Sequence, residues 1–390
     1  MNEKIVFYVG NFDKPESNAA GKRVYGIALI LAKLGYRVVL IGKSNTQHTD
    51  SYPIEYKENI VYYSFPKVNL IHTQAFIDYI VDIMEIEGKP NLIIRYGSPG
   101  LSLFDSKLTY FCRKKSIKLV ADVVDWLSSS GNNLIFNCVK TIDTYLEKAI
   151  YNKKSDGVIA ISSYLSNYYS ERGCKTIIIP PVVSDYHKNK GENNCIRIVY
   201  AGMPFRLGRK VNKSNEVKDR LDLAVRTVGF LDKSKINLIL DIYGITAEQY
   251  LTAYPSHKNI IESNQDIICF HGNRPMHEVQ CAVQNADFTI LLRDRNRATM
   301  AGFPTKVTES LSLGTPVITT NTSDLDKYIK PGKTGFFVDI TNEEQLIQQL
   351  FNICMIDRNE LSDIKHSCYE SRDFCVEKFK DILEDFIKRL

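Results

Sequence analysis

Two residues of opposite charge, Lys306 and Glu309, lie three positions apart in a segment that ends in a glycine and a buried apolar run. Residues at this spacing lie near each other on the surface of a helix. A lysine at the start of a helix can bind an anion, because the unpaired backbone N–H groups and the helix dipole there also attract negative charge. The pair therefore indicates an anion site, and its plain alternative is a salt bridge between Lys306 and Glu309.

The neighbouring residues predict a loop, a short helix and a buried strand. Pro304 suits the first turn of a helix and Gly314 suits its end, so the helix should cover 305–313. Val307 and Leu311 are four apart and would form its buried ridge, and the β-branched run that follows predicts the strand. The other residues expected to hold the anion lie where the helix begins: Gly302, Phe303 and Thr305.

Residues 301–319 resemble the donor-site signature of group 1 retaining nucleotide-sugar glycosyltransferases, which have the GT-B fold. The usual pattern of that family is Glu-Gly-Phe-Gly-x-Pro-x-x-Glu-Ala. Its second glutamate corresponds to Glu309, whereas its first falls on Ala301. The resemblance implies that Glu309 accepts hydrogen bonds from the donor's ribose and that Lys306 binds its diphosphate. In the family the first glutamate usually contacts the hydroxyls of the donor sugar, so Ala301 leaves the sugar open.

Composition predicts a soluble globular protein with two domains, since 44% of the 390 residues are hydrophobic and 24% are charged. The formal net charge of +5 is too small to indicate a nucleic-acid partner. Nine cysteines without a Cys-x-x-Cys pair favour buried thiols in a reducing compartment over disulfides or a zinc site. With neither a signal peptide nor an 18-residue apolar run, a cytoplasmic location is expected, with peripheral contact to the inner face of the membrane.

The first forty residues predict a βαβ unit, and alternating strands and helices continue to about residue 180. The glycines of this unit lack the Gly-x-Gly-x-x-Gly spacing, which disfavours a nicotinamide dehydrogenase. The family resemblance assigns the loop before the first helix to the acceptor side. Its candidate residues are Gly21, Lys22 and Arg23, and the alternative is that both cations are solvated residues of a first helical turn.

Two further acceptor-side candidates follow predicted strands. Ligands of parallel sheets bind at the carboxyl ends of the strands, which draws attention to Arg95 and Asp125. Asp125 precedes Trp126, the only tryptophan, and the two could place a carboxylate and an aromatic surface beside an acceptor sugar. The alternative for Trp126 is a buried core position.

A Pro-Pro pair at 180–181 and a polar stretch at 184–194 predict a linker, so the domains should cover 1–184 and 185–373. The resemblance implies that the first domain binds the acceptor and the second the nucleotide sugar, with a cleft between two Rossmann-like doubly wound domains. It also implies that an amphipathic helix at 374–390 packs back on the first domain.

The second domain opens with a strand that ends at Gly202 and continues into a basic loop. In the family, an arginine and a lysine of this region clamp the donor pyrophosphate. Lys218 is the first choice for the lysine, and Arg206 and Lys210 compete for the other role, unless they belong to a solvated basic hairpin.

The resemblance places the base of the nucleotide near His271, Gly272 and Asn273. For His271 a structural or base-contacting role is expected, because the sequence beside it offers neither a nucleophile nor a carboxylate. Arg293 is the candidate from a group of arginines that suits an anionic ligand, its alternative being a surface ion pair.

The function expected from this resemblance is retaining transfer of a sugar, of hexosyl type, from a nucleotide diphosphate-sugar to a glycan or lipid-linked acceptor in surface polysaccharide assembly. A UDP-sugar is favoured over a GDP-sugar, and neither a metal nor another cofactor is expected. Lys218, Arg206 and Glu309 are assigned to catalysis. The alternative function is that of a catalytically silent partner that binds a nucleotide sugar.

Overall fold

The structure is a computed structural model that describes residues 4–15, 17–44, 53–56, 59–66, 73–97, 102–126, 134–213 and 216–390. It divides into two compact units. Unit 1 comprises Met1–Ser184, Ala301–Phe303 and Phe374–Leu390, and unit 2 comprises Asp185–Met300 and Pro304–Asp373.

Unit 1 is built on an eight-stranded sheet of order β3-β4-β2-β1-β5-β6-β7-β8, in which only β3 is antiparallel to its neighbour. The sheet reverses its direction of winding between β1 and β5, and the carboxyl ends of strands at such a point commonly form a ligand site. The strands are β1 Ile5–Gly10, β2 Arg37–Ser44, β3 Ile54–Tyr56, β4 Ile60–Pro66, β5 Leu92–Tyr96, β6 Lys118–Val123, β7 Gly157–Ala160 and β8 Thr176–Ile178.

Helices cover both faces of this sheet, so the strands read as continuous apolar runs. Val6 and Tyr8 face one hydrophobic core, and Phe7 and Val9 face the other. A π-helical turn, Glu147–Tyr151, lies between two α-helices of this unit. The helices are α1 Ala19–Lys33, α2 Thr73–Glu87, α3 Ser102–Lys115, α4 Leu134–Leu146, α5 Asn152–Lys154 and α6 Ser163–Ser170.

Unit 2 contains a six-stranded parallel sheet of order β11-β10-β9-β12-β13-β14. This is the strand order of dinucleotide-binding folds, and its direction of winding reverses between β9 and β12. The predicted α/β class with two parallel-sheet domains is therefore confirmed. The strands are β9 Ile196–Ala201, β10 Leu238–Tyr243, β11 Ile268–Gly272, β12 Phe288–Leu291, β13 Val317–Thr319 and β14 Gly335–Phe337.

The helix predicted at 305–313 is present with nearly the same bounds, as α12, Thr305–Ser312. Leu313 caps its carboxyl end, and Gly314 follows with a φ of +72°, a conformation that glycine adopts without strain. The remaining helices up to residue 371 are α7 Leu221–Phe230, α8 Ala247–Ala253, a 3-10 turn Pro255–His257, α9 Lys258–Glu262, α10 Met276–Gln284, α11 Arg297–Ala301, α13 Leu325–Tyr328, α14 Glu343–Cys354 and α15 Arg358–Ser371.

The last helix, α16 (Val376–Lys388), belongs to unit 1 and packs against α1. Phe379, Leu383 and Phe386 recur every three or four residues and are buried in the same core as β1. Among the described residues, no helix combines the length and apolar character needed to cross a bilayer.

Candidate functional site

The carboxyl ends of β9 and β12 meet where the sheet of unit 2 reverses its winding, and Gly202 lies there directly after β9. A Cβ atom at Gly202 would lie 2.4 Å from Nζ of Lys306. Its φ of +139° is also a value that side-chain-bearing residues rarely adopt. Glycine at this position thus leaves room for the lysine of α12 to lie over the strand end.

A buried carboxylate, Asp219, holds this lysine in place. Its Oδ2 accepts hydrogen bonds from Nζ of Lys306 at 2.5 Å and from the hydroxyl of Tyr200 at 2.8 Å. Its Oδ1 accepts one from Nε of Arg293, also at 2.8 Å. The ammonium of Lys306 additionally lies 4.4 Å from the ring centre of Tyr200. We call these four residues the Asp219 cluster.

The Asp219 cluster has two cations and one carboxylate. Burial alone would raise the pKa of Asp219, but the charges of Lys306 and Arg293 and its hydrogen bonds outweigh burial and lower it. Burial and the charge of Asp219 raise the pKa of Tyr200 well above its usual value, so its hydroxyl stays neutral. The cluster therefore keeps one surplus positive charge, and Lys306, with 27% of its side chain exposed, presents that charge to the solvent.

Unit 1 contains a comparable arrangement without the surplus charge. Tyr8 occupies the position two residues before Gly10, as Tyr200 does before Gly202, and it donates to the buried Asp122. Asp122 pairs with the buried Arg23 at 2.9 Å. Because this group has one cation for one carboxylate, its charge is balanced and it supports the interior of the unit.

Helix α12 presents the two faces that the sequence predicts. Val307 and Leu311 are completely buried. Lys306 and the half-buried Glu309 border a narrow cavity of about 40 Å³, which Met276 and Gln280 of α10 also line. A cation, a carboxylate and the first backbone N–H groups of α12 are thus combined within one small region.

The basic loop between β9 and α7 is exposed at both Arg206 and Lys210. Lys218, at the end of this loop, is exposed too, and its backbone N–H donates to the carbonyl of Pro204 at 2.8 Å. Burial is the main cause that lowers the pKa of Lys306, and the charge of Lys218 contributes to the same shift. Lys218 is therefore near the Asp219 cluster.

Arg293 lies inside the cluster and not in a surface ion pair, since its side chain is only 7% exposed. Its backbone N–H also donates a hydrogen bond to the hydroxyl oxygen of Thr320 at 3.0 Å. Arg293 pairs with Asp219 in the interior, whereas the side chain of Lys306 is partly exposed to solvent.

His271 has a carboxylate partner that the sequence beside it does not contain. Its Nε2 lies 2.7 Å from Oδ1 of Asp241, on the neighbouring strand β10, and its ring stacks on Tyr243 at 4.4 Å. Gly272 has a φ of +68°, and Asn273 is exposed after it. The contacts of His271 orient the imidazole at the end of β11.

The acceptor-side candidates of unit 1 differ in their access to solvent. Arg23 is 2% exposed and also donates to the carbonyl of Pro180 at 2.7 Å, so the alternative of a solvated first-turn residue is wrong for Arg23. Gly21 approaches the backbone of Lys14 too closely for a Cβ atom, and Lys22 is half-buried.

Arg95 is also buried, and its guanidinium pairs with the buried carboxylate of Asp105 at 2.6 Å. Asp125 is exposed. Trp126 is half-buried against the ring of Tyr168, at 4.9 Å and 89°, with the ammonium of Lys148 4.4 Å from its centre. The alternative of a fully buried core tryptophan is therefore wrong.

Ala301, where the family has its first glutamate, is completely buried. Its carbonyl accepts a hydrogen bond from the hydroxyl of Ser162 at 2.6 Å, and both residues belong to unit 1. Phe303 packs edge-on against Phe374 in the same unit. Among the described residues, no group of three or more His, Cys, Asp or Glu side chains is arranged to hold a metal ion.

Comparison with known proteins identifies the part of the chain that contains the Asp219 cluster. A family model described as "Glycosyl transferases group 1" matches residues 215–365. This segment is therefore similar to group 1 glycosyltransferases. It includes Asp219, Arg293, Lys306 and Glu309.

Two curated relatives match a part of the chain. Both are named "Putative colanic acid biosynthesis glycosyltransferase WcaL", one from Salmonella typhimurium and one from Escherichia coli. The identities are 28% and 27% over 110 residues. Each match spans 27% of this chain and 27% of the relative, so the chain spans about a quarter of the relatives' length.

Solved glycosyltransferase structures match the whole chain at low identity. Sucrose-phosphate synthase from Thermosynechococcus elongatus has a TM-score of 0.68 at 14% identity, with 99% of this chain and 98% of the other covered. Anabaena HepE in complex with UDP-glucose and the pneumococcal O-GlcNAc transferase GtfA in complex with UDP and GlcNAc both have 0.64 at 13% identity, with 99% and 100% covered. This likeness shows the fold, GT-B.

The sequence alone does not single out three residues of this site, namely Tyr200, Asp219 and Asp241. Each lies in or beside a segment that the sequence marks, but its importance comes from a partner outside that segment, 19 residues away for Tyr200, 87 for Asp219 and 30 for Asp241.

We expect Asp219→Ala to lower the free energy of unfolding by about 3–5 kcal/mol, since it leaves Lys306 and Arg293 without their carboxylate. Urea titration followed by circular dichroism measures the change. Asp326→Ala, which removes an exposed carboxylate of α13, is the control and should stay within about 0.5 kcal/mol of the parent. A loss below about 1 kcal/mol for Asp219→Ala would contradict the role of this carboxylate as the centre of the cluster.

Proposed function

We propose that this chain transfers a sugar from a nucleotide diphosphate-sugar to a glycan or lipid-linked acceptor, with retention of the anomeric configuration. The observation that carries the proposal is the surplus positive charge of the Asp219 cluster at the strand ends of a segment similar to group 1 glycosyltransferases. Retention and a hexosyl donor follow from the resemblance of residues 301–319 to the family signature. The proposed reaction uses neither a metal nor another cofactor.

Departure of a nucleoside diphosphate builds negative charge on the leaving group, which the protein must stabilise. Lys306 is already positioned by Asp219 beside the N-terminus of α12, so little reorganisation is needed when that charge develops. Lys218 is the second cation near this place, and Arg206 is the proposed third from the exposed loop. Gly202 and Gly302, Phe303 and Thr305 complete the proposed diphosphate site.

The nucleoside part of the donor would extend from the diphosphate towards α10 and β11. Glu309, on the border of the narrow cavity, would accept hydrogen bonds from the ribose hydroxyls. The base would lie near His271, Gly272 and Asn273. We favour UDP over GDP, because the structures of HepE and GtfA that share this fold contain UDP.

The acceptor would bind to unit 1, where Asp125 is exposed beside the half-buried Trp126. Lys22 and the loop around Gly21 are the other proposed acceptor contacts. Arg23 and Arg95 are both buried in ion pairs, so they would position neighbouring residues of the acceptor site without contacting the acceptor themselves.

Surface polysaccharide assembly is the proposed setting, since the curated relatives are named for colanic acid biosynthesis. A lipid-linked acceptor would bring a cytoplasmic enzyme to the inner face of the membrane as a peripheral protein.

The test of this function is nucleotide release by the purified chain from a panel of UDP- and GDP-sugars with a glycan acceptor. We expect release of UDP from one UDP-sugar that depends on the acceptor. If every donor is left intact while one of them raises the melting temperature, transfer is refuted and the chain is a silent nucleotide-sugar binder.

Glu309→Ala should weaken donor use by about 1.5–3 kcal/mol in kcat/KM, the usual contribution of a hydrogen bond to a charged group. The measurement is initial rate against donor concentration in the release assay. Glu344→Ala, an exposed glutamate of α14, is the matched control and should leave kcat/KM unchanged. Unchanged kcat/KM in Glu309→Ala would remove Glu309 from the donor site.

Lys306 should produce an alkaline limit in the pH profile of kcat/KM. Its pKa is lowered, principally by burial, so its proton is lost at a lower pH than that of an ordinary lysine, about 10.4. Since the charged form holds the diphosphate, activity should fall as the pH rises through this lowered pKa. Lys306→Arg keeps its charge and should move the limit to higher pH. Lys306→Met should lower kcat/KM about tenfold to a hundredfold at pH values below the limit and should remove the limit itself.

The matched control for this profile is Lys365→Arg, a change at another lysine that pairs with a buried carboxylate, Asp287, but lies outside the proposed site. Its alkaline limit should coincide with that of the parent. An alkaline limit that stays in place in Lys306→Arg would show that another group titrates.

A further inference from the structure

A second concentration of positive charge lies at the opposite end of the sheet of unit 2. Asp287 directly precedes β12 and Cys195 directly precedes β9, so both mark the amino ends of these parallel strands. The Asp219 cluster lies at their carboxyl ends. An open cavity of about 600 Å³ adjoins Asp287, between residues 188–194 and helix α15. We call it the α15 cavity, and it has no role in the proposed transfer reaction.

One wall of the α15 cavity, residues 188–193, is fixed by contacts within unit 2. The side-chain amide of Asn189 donates to the carbonyl of Ala286 at 2.8 Å. A Cβ atom at Gly191 would lie 2.2 Å from the carbonyl oxygen of Asn285, so the two backbone segments approach each other as closely as glycine allows. The lysines of this wall therefore extend from a backbone of defined position.

Helix α15 forms the other wall and separates its charges by face. Its lining residues recur every three or four positions, as one face of a helix requires, and they are Arg358, Leu361, Ser362, Lys365, His366 and Tyr369. The acidic residues of this helix and its N-cap do not line the cavity, and they are Asp357, Glu360, Asp363 and Glu370. The cavity therefore receives the basic side of α15.

The completely buried Asp287 pairs with two cations of α15, as Asp219 does with its own two cations. Its Oδ1 accepts a hydrogen bond from Nζ of Lys365 at 2.7 Å and lies 3.3 Å from Nη1 of Arg358. The side chain of Lys365 is 12% exposed, so it compensates Asp287 in the interior. The side chain of Arg358 is 48% exposed and lines the cavity as the surplus cation.

Lys188 and Lys190 add two exposed charges from the first wall. Within the part of the chain that the structure describes, neither of them forms an ion pair. The lining contains four Lys and Arg residues against two carboxylates, Asp287 and Glu192, which leaves a net charge of +2. A phosphate monoester has a charge of about −1.5 to −2 near pH 7, so one such group would balance the cavity.

We infer that the α15 cavity binds the phosphate group of a small phosphorylated molecule. The guanidinium of Arg358 suits two phosphate oxygens at once, and the two lysines and the hydroxyl of Ser362 offer donors from other directions. The ring of Tyr369 is half-buried, with Nζ of Lys188 5.5 Å from its centre, and it offers an apolar face to the organic part of the ligand.

The size of the cavity favours a small molecule over a nucleic acid. Small-molecule sites usually have volumes of about 300–1,000 Å³, and the α15 cavity falls within that range. A nucleic acid instead requires a basic surface that extends along several phosphates. The acidic faces of α15 on either side of the lining residues interrupt such a surface.

The experiment is a phosphorus NMR titration of the full chain at low salt, with inorganic phosphate and ribose 5-phosphate as separate probes. We expect both probes to bind. The double variant Lys188→Gln/Lys190→Gln should weaken both at least about tenfold, because it removes two charges, and Arg358→Gln should weaken them about tenfold through loss of the bidentate pair. Tighter binding of ribose 5-phosphate would support an organic phosphate, whereas equal binding would overturn the role of Tyr369 in favour of free phosphate.

The matched control, Lys233→Gln/Lys235→Gln, removes two exposed lysines of unit 2 that have the same spacing and lie outside the cavity, so it should bind as the parent does. Equal binding by the parent and Lys188→Gln/Lys190→Gln would overturn the inference, as would a parent that binds neither probe.

A second control separates the α15 cavity from the proposed donor site. Lys306→Met should keep the phosphate binding, since Lys306 lies at the other end of the strands. Binding that is lost in Lys306→Met but kept in Lys188→Gln/Lys190→Gln would assign the phosphate to the donor site and refute the inference. Because no sugar nucleotide is present, these outcomes are separate from failure of the transfer assay.

Discussion

The net charge of the candidate site depends on one buried carboxylate that pairs with two cations. Asp219 is held between Arg293 and Lys306, and Tyr200 donates a further hydrogen bond to it. Removing a carboxylate from water is costly unless it is paired and hydrogen-bonded, and these contacts meet that cost. Within the part of the chain that the structure describes, the ion pairs of Lys306 and Arg293 both lead to this one carboxylate. That surplus of charge, on a lysine that reaches solvent, is what makes the strand ends of unit 2 attractive to an anion.

Geometry at the strand ends makes this pairing possible. Lys306 reaches Asp219 only because Gly202 has no side chain, and Gly244 in turn approaches the carbonyl of Gly202 too closely for a Cβ atom. Val307 and Leu311 anchor the opposite face of α12 in the core, so the lysine has a defined position before a ligand arrives. Preorganisation of this kind allows a charge to stabilise a leaving group without first being rearranged.

The two units contain similar buried groups of ion-paired residues that differ in net charge. Tyr8, Asp122 and Arg23 in unit 1 are the same residue types as Tyr200, Asp219 and Arg293 in unit 2, although only the two tyrosines occupy matching positions, two residues before a glycine at a strand end. The first group is balanced and buried, whereas the second is completed by Lys306 from a different helix. Unit 1 has its distinctive surface elsewhere, in the half-buried Trp126.

Local sequence determined the α/β class, the parallel sheets and the helix at 305–312, and it singled out Lys306 and Glu309 as candidates, because each depends on spacing within about one helical turn or one strand. Only the tertiary structure decided which charges meet. Asp219 and Lys306 are 87 positions apart, and His271 finds Asp241 across 30. It also decided that Arg23 and Arg95 are buried, since a sequence shows a charge but not the partner that allows it to leave water.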